Sequence, residues 1–203
     1  MFPGSTPKYQ HQRDGLPGYD PRLEGVYAYD PAKATALLAE AGYADGVDLG
    51  DVLMPVTTPK AVGEAMQQQL ETVGIGFNLM FIDAVEALTR WRKGESAGML
   101  HTPSTGVEFG VRSEFRWGAA MNPGGTTPEF DQLLARAIDN RLTAEDRNLR
   151  YQAVNRYVVE QAWSAPILWV NFGSVMSDRV MHFDDRMDYI TTWGPIRQTC
   201  AGY

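Results

Sequence analysis

The sequence predicts an α/β fold, a mixed sheet flanked by helices, and two observations carry that reading. Helices that open on a capped proline and close on a glycine alternate with short apolar strands. Residues 52–82 then run strand, helix, strand, a crossover unit whose right-handed form builds a partly parallel sheet with helices on its faces.

The elements follow in order. Residues 1–26 hold Pro3, Pro7, Pro17 and Pro21 with Gly4, Gly15, Gly18 and Gly25, show no helical or strand period, and read as an extended connector. So long an uncapped lead suggests a chain that starts partway through a larger protein. Asp30 is an N-cap with Pro31 at the first helical position; Ala34, Leu37, Leu38 and Ala41 form an apolar stripe, and Gly42 is the stop. The grammar repeats with Thr58 as cap, Pro59 at the first position, a stripe of Val62, Met66, Leu70 and Val73, and Gly74 as stop. Strands are expected at Val52 to Met54 and at Ile75 to Ile82, where Ile75, Phe77, Leu79 and Phe81 share one face. Asp83 and Glu86 make a capping-box pattern for a helix through Val85, Leu88 and Trp91 that ends at Gly94, before a short strand at Gly98 to His101.

Residues 102–126 break every period with Pro103, Gly106, Gly110, Gly118, Pro123, Gly124 and Gly125, and long irregular loops in compact domains are usually functional or disordered. A helix capped by Thr127 and Pro128 follows, with Phe130, Leu133, Leu134, Ala137 and Ile138 inward. A longer one opens at Thr143 and Asp146 and runs to about Trp163. Its stripe is uneven, because Arg150 falls among Leu149, Ala153, Val154 and Tyr157. Pro166 starts a strand over Ile167 to Val170, and a ribbon near Val175 and Val180 leads to the tail.

Composition excludes several classes of function. A formal net charge of -7 without clustered Lys and Arg argues against a nucleic-acid partner. No apolar run approaches the roughly 20 residues a membrane-spanning helix needs, and no export signal is read at the start. Cys200 is the single cysteine, so neither an internal disulfide nor a CxxC pair is expected. His11, His101 and His182 have no ligand spacing, and Asp184, Asp185 and Asp188 lack the alternation of a calcium loop, so no metal or other cofactor is expected. Gly94 to Gly98 matches GxSxG around Ser96, with His101 close behind, which raises a serine esterase as an alternative. A nucleophile elbow needs a strand entering and a helix leaving, the reverse of the order here. No catalytic residue is therefore assigned. A stand-alone interaction domain is the third reading.

Four ordered stretches carry a family resemblance: YDPAKATALLAEAGY at Tyr29 to Tyr43, QLETVGIGFNL at Gln69 to Leu79, TPEFDQLLARA at Thr127 to Ala137, and RYQAVNRYVVEQAWSAPIL at Arg150 to Leu168. Together they resemble the second lobe of family 5 bacterial extracellular solute-binding proteins, the oligopeptide and dipeptide type. The resemblance implies one lobe of a type II periplasmic-binding-protein (Venus-flytrap) fold. It implies a cleft that captures a small solute, a peptide or an oligosaccharide, for the permease subunits of an ABC importer. It also implies an extracytoplasmic place, with lipid anchoring through a segment upstream of Met1. On this reading residues 1–28 are the connector from a missing N-terminal lobe, 29–170 the C-terminal ligand-binding lobe, and 171–203 terminal strands returning toward the missing lobe.

Where many peptide binders of the family carry an acidic Asp-Pro-Asp-like segment, this sequence has Thr102 to Phe109, with Glu108 the nearest acid, so an oligosaccharide or other uncharged solute stands beside a peptide. The expected ligand contacts are Thr102, Ser104, Thr105, Glu108, Phe109, Arg112 and Trp117. They offer hydroxyls, an ion of each sign and aromatic faces on the one long loop that follows an inner strand.

Overall fold

The computed structural model describes residues 5–100, 115, 122, 124–169, 180–181 and 197–198. In chain order the elements are β1 (Thr6–Pro7), a 3-10 turn (Pro21–Leu23), α1 (Pro31–Glu40), β2 (Val47–Pro55), α2 (Lys60–Glu71), β3 (Ile75–Ile82), α3 (Ala84–Arg92) and β4 (Gly98–Met99). They continue with α4 (Pro128–Ala137), α5 (Ala144–Glu160), β5 (Leu168–Trp169), β6 (Val180–Met181) and β7 (Arg197–Gln198).

The expected crossover unit is present. β2 lies between β3 and β4, and all three strands are parallel. Met54 on β2 and Leu79 on β3 turn one face of this sheet toward α2, where they crowd Gly63. Asp51, an odd number of residues from Met54 and so on the opposite face, takes Arg90 of α3 at 3.3 Å. The helices therefore cover opposite faces, and the core between the layers is Val52, Leu53, Met54, Phe77 and Ala87. A register shift between Asp48 and Asp51 marks a bulge in the first half of β2, with Gly50 at φ 77° and its N–H on Asp48 Oδ1.

The second packed body is the antiparallel pair α4 and α5, with residues 5–27 laid across it as a strap. Phe115, Phe130, Leu134, Ala137, Tyr151, Val154 and Val158 make its core, flanked by Leu133, Tyr157 and Trp163. β1 pairs with β5, antiparallel, and ties the strap to the chain beyond α5. In the turn between the helices the Arg141 side chain and N–H hold the Asp139 carboxyl down at about 2. β6 and β7 form a separate antiparallel pair.

Helix boundaries follow the expected chemistry, with corrections. Asp30 accepts from Lys33 N–H, Asp83 from Val85 and Glu86 N–H, Thr127 from Phe130 N–H, and Thr143 from Asp146 N–H. Thr58 does not cap α2. The cap position is Pro59, which has no side-chain acceptor, and Thr58 is buried one residue earlier. The stripe of α2 is half-buried at Val62, Met66, Leu70 and Val73, because Gly63 is where the helix touches the sheet. On α3 the inward position is Ala87, and Val85 is 74% exposed beyond the end of the sheet. The stripe of α1 meets no core: none of its residues is fully buried, and Leu37 is exposed. On α5 the inward residues are Tyr151, Val154 and Val158, and Leu149 is 57% exposed.

Three helices stop in the same way. At α1, α3 and α5 two N–H groups past the cap reach back to the last carbonyls, Tyr43 to Leu38, Glu95 to Arg90 and Trp163 to Val158 being the longer links. The residue in the left-handed region is Gly42, Gly94 and, on α5, Ala162 at φ 49°.

Two stability predictions follow from this packing. A Cβ at Gly63 would stand 2.5 Å from Met54 Sδ and 2.7 Å from Leu79 Cδ2. Gly63→Ala is therefore expected to cost about 1–2 kcal/mol despite alanine's better helix propensity, read as a lower urea midpoint. Ala162→Gly removes a left-handed alanine and is expected to raise stability by about 0.5–1 kcal/mol, read as a higher thermal midpoint.

Candidate functional site

The carboxyl ends of the parallel strands form one edge of the sheet. The chain leaves β2 toward β3 on one side and reaches β4 on the other, an arrangement in which ligands bind past the carboxyl ends of the strands. Val56 continues β2 and donates its N–H to Ile82 O at 3.0 Å, while Leu100 continues β4 through Leu53 O at 2.8 Å. Val56 and Val85 present exposed apolar side chains at this edge. The first N–H groups of α2 point there without a side-chain acceptor, beside Lys60, whose ammonium lies over Phe81 and pairs with Glu64.

The loop expected to carry ligand contacts starts at this same edge. Thr102, Ser104, Thr105, Glu108, Phe109, Arg112 and Trp117 lie outside the described residues, as do His101, His182, Asp184, Asp185, Asp188 and Cys200. Two described residues of the loop were not singled out by sequence. Phe115 is 7% exposed and sits in the core of the helical pair. Its ring is edge-on to His11 at 4.8 Å and 6.4 Å from Trp163. Asn122 Nδ2 donates to Phe115 O and to Gly125 O, both at 2.7 Å. The available signal was a third large aromatic among the loop's glycines and prolines.

A surface hollow of about 660 Å³ lies at the opposite, amino ends of β2 and β3, among Asp45, Asp48, Glu71 and Asn78. It is open to solvent and lacks the converging apolar walls of a ligand pocket. Ser96 follows α3 and precedes β4, and its buried Oγ has no hydrogen-bond partner, so no base activates it among the described residues. No group of three or more acidic, His or Cys side chains able to hold a metal occurs among them either.

A buried polar cluster joins the strap to α5. Asp20, 1% exposed, accepts from Arg22 Nε and Nη2 at 2.9 Å each, from Arg22 N at 3.1 Å and from Arg156 Nη2 at 2.7 Å. Hydrogen bonds from Arg22 and then Arg156, against the opposing pull of burial, hold its carboxyl well below the usual carboxylate range. Gln10 lies beside it, accepting from Asp20 N and Asn155 Nδ2 and donating to Asp20 O and Glu24 Oε1. Every group here is paired within the protein, so the cluster is a structural clasp.

Comparison with known proteins places the chain. A family model described as bacterial extracellular solute-binding proteins, family 5 Middle, matches residues 1–107, more than half of the 203. The chain belongs to this family. It is 32% identical over 96 residues to di/tripeptide-binding protein 1 of Pseudomonas aeruginosa (strain UCBPP-PA14), covering 43% of this chain and 18% of that one. Among solved structures, HbpA2 from Haemophilus parasuis is similar with a TM-score of 0.73 and 25% identity over 82% of this chain and 34% of its own. The dipeptide binding protein of Pseudoalteromonas sp. SM9913 in complex with Met-Leu gives 0.71 and 23% over 81% and 34%. The chain thus spans about a third of these solved family members, and its fold is the type II periplasmic-binding-protein fold. The proteins it resembles are binding proteins, which leaves the esterase reading of Ser96 without support.

The clasp generates a pH prediction. Asp20→Asn leaves Arg22 and Arg156 facing a neutral amide. Their side chains are 67% and 35% exposed, so the expected loss at pH 7 is about 1–3 kcal/mol, less than for a fully buried pair. Because the folded carboxyl is depressed, its contribution is complete above the ordinary Asp value near 3.9 and is lost as pH falls below it toward the folded value. Urea midpoints of the two proteins are therefore expected to differ fully at pH 5 and above and to converge progressively as pH falls below about 3.9 toward the depressed folded value.

Proposed function

We propose that this chain is one lobe of the extracytoplasmic solute-binding component of an ABC importer, and that it closes on a peptide held between two lobes. Membership of family 5 carries the reading. The sheet edge supports it, since exposed apolar side chains and uncapped N–H groups stand where a peptide's side chains and carbonyls could meet them. A peptide is favoured over an oligosaccharide because the curated relative is named for di- and tripeptides and the Pseudoalteromonas protein holds Met-Leu. In this reading residues 29–170 are the ligand-binding lobe, 1–28 and 171–203 connect it to the other lobe, and permease subunits take the solute from the closed protein. A lipid anchor upstream would hold it at the membrane. Thr102, Ser104, Thr105, Glu108, Phe109, Arg112 and Trp117 supply the solute contacts of this lobe.

Calorimetry on the full-length protein tests the proposal with Met-Leu and, in a second arm, maltotriose. Saturable binding of Met-Leu is expected, weaker by about tenfold or more for this chain alone, because a single wall leaves much of the ligand in water. Glu108→Ala and Trp117→Ala are expected to weaken it in the intact protein. Equal affinity for the lobe and the whole protein would overturn the cleft. Binding of maltotriose alone would overturn the choice of a peptide.

A further inference from the structure

We infer that the Asp14–Gly15 linkage is a site of spontaneous aspartate isomerisation, and that its product loosens the clasp of the strap on α5. The inference is independent of the solute reading, and water is its only co-reactant.

Aspartate followed by glycine can close a succinimide ring, because glycine has no Cβ to obstruct the approach of its nitrogen to the carboxyl. The Gly15 nitrogen bonds to Asp14 Cγ, and the amide proton leaves with a carboxyl OH as one water. Water then reopens the ring. Attack at Cγ restores aspartate, whereas attack at the Asp14 backbone carbonyl leaves the main chain running through Cβ and Cγ, which is isoaspartate.

The sequence holds two such pairs, Asp14–Gly15 and Asp45–Gly46. Residues 13–19 form two consecutive turns, closed by Leu16 N–H on Arg13 O at 3.0 Å and Tyr19 N–H on Leu16 O at 3.2 Å. Gly15 and Gly18 are third in these turns, with φ 83° and 86°, the sign a type II turn requires there. Asp14 and Gly15 are exposed. Being third, Gly15 does not supply the closing donor, and among the described residues its N–H has no hydrogen bond and the Asp14 carboxyl has no hydrogen bond or ion pair. A Cβ on Gly15 would meet nothing within 4 Å, so the carboxyl has room to reach the nitrogen.

Gly46 is fourth in its turn, and its N–H closes it on Tyr43 O at 3.0 Å. A Cβ there would stand 2.7 Å from Gly74 O, the oxygen that also accepts from Val47 N–H at 2.8 Å. That nitrogen must leave both the turn and the edge of the sheet before it can attack, so only the small open fraction of the segment reacts.

Isoaspartate at position 14 adds one methylene carbon to the main chain inside the first turn. The residues that follow have no slack to absorb it. Gly18 N–H is held by Asn148 Oδ1 at 2.7 Å and Gly18 O by Asn155 Nδ2 at 3.1 Å, and Asp20 N–H is on Gln10 Oε1 at 3.0 Å. The strain of the longer turn therefore falls on the bonds that hold the strap to α5.

The test incubates the full-length protein for weeks at neutral pH in heavy-oxygen water, then separates isomeric peptides and locates isoaspartate by fragmentation. The peptide holding residue 14 is expected to split into normal and iso forms, both gaining heavy oxygen, with about tenfold less or lower conversion at Asp45. Asp14→Glu, which keeps the charge but cannot close the succinimide, should abolish conversion there. Amide exchange at Gly18 and Asp20 should be about tenfold faster in the isolated iso form than in fresh protein, and unchanged in aged Asp14→Glu. No isoaspartate at position 14, or equal conversion at Asp45, would overturn the site. Unchanged exchange in the iso form would overturn its link to the clasp.

Discussion

A peptide segment that lies against a helix without joining a sheet must still find partners for its backbone N–H and C=O groups, and this requirement shapes one side of the molecule. The strap has β structure only at Thr6–Pro7. Beyond it, Asn148 accepts from Gly18 N, Asn155 donates to Gly18 O, Gln152 donates to Tyr19 O, and Arg156 reaches Asp20. These four side chains recur at helical spacing on one face of α5. At Gly18 the strap comes so close that a Cβ would stand 2.8 Å from Tyr151 Cβ, in a backbone conformation of φ 86° that suits glycine. The helix is thus buried on two faces, one apolar toward α4 and one polar toward the strap.

The two bodies answer to different physics. The sheet and its helices are held by close packing of layers, with Gly63 setting the distance of α2. The helical pair is held by an aromatic core and a hydrogen-bonded rim. In chain order β4 of the sheet is followed by α4 of the helical pair.

Most of the fold was legible because it is written in local rules. Asp30, Asp83, Thr127 and Thr143 cap where short polar side chains precede an apolar period, and the parallel pair β2 and β3 follows from a crossover unit. The misreadings share a cause: each needed a tertiary neighbour. Thr58 resembles a cap, but proline moved the helix start one residue along. Val85 lies on an apolar stripe that runs past the end of the sheet. The stripe of α5 reads as uneven because Arg150 falls among Leu149, Ala153, Val154 and Tyr157, whereas the buried face carries Asn155 beside Val154 and Val158, and a polar residue satisfied by a distant chain segment cannot be told in sequence from an exposed one. The same holds at the site. The burial of Phe115 depends on rings of His11 and Trp163 from distant parts of the chain, which no local pattern connects to it.

The clasp between Gln10 and Asn155 spans 145 positions of the chain, whereas β2, β3 and β4 lie within residues 47–99. Contacts so far apart carry a large closure entropy and form late. As the chain leaves the ribosome, the sheet with α2 and α3 can assemble while the strap waits, its buried glutamines and Asp20 still in water. Only the arrival of α5 offers the strap its acceptors. The strap, made before α5, is therefore among the last parts of this chain to find its place, and it closes over a core already built.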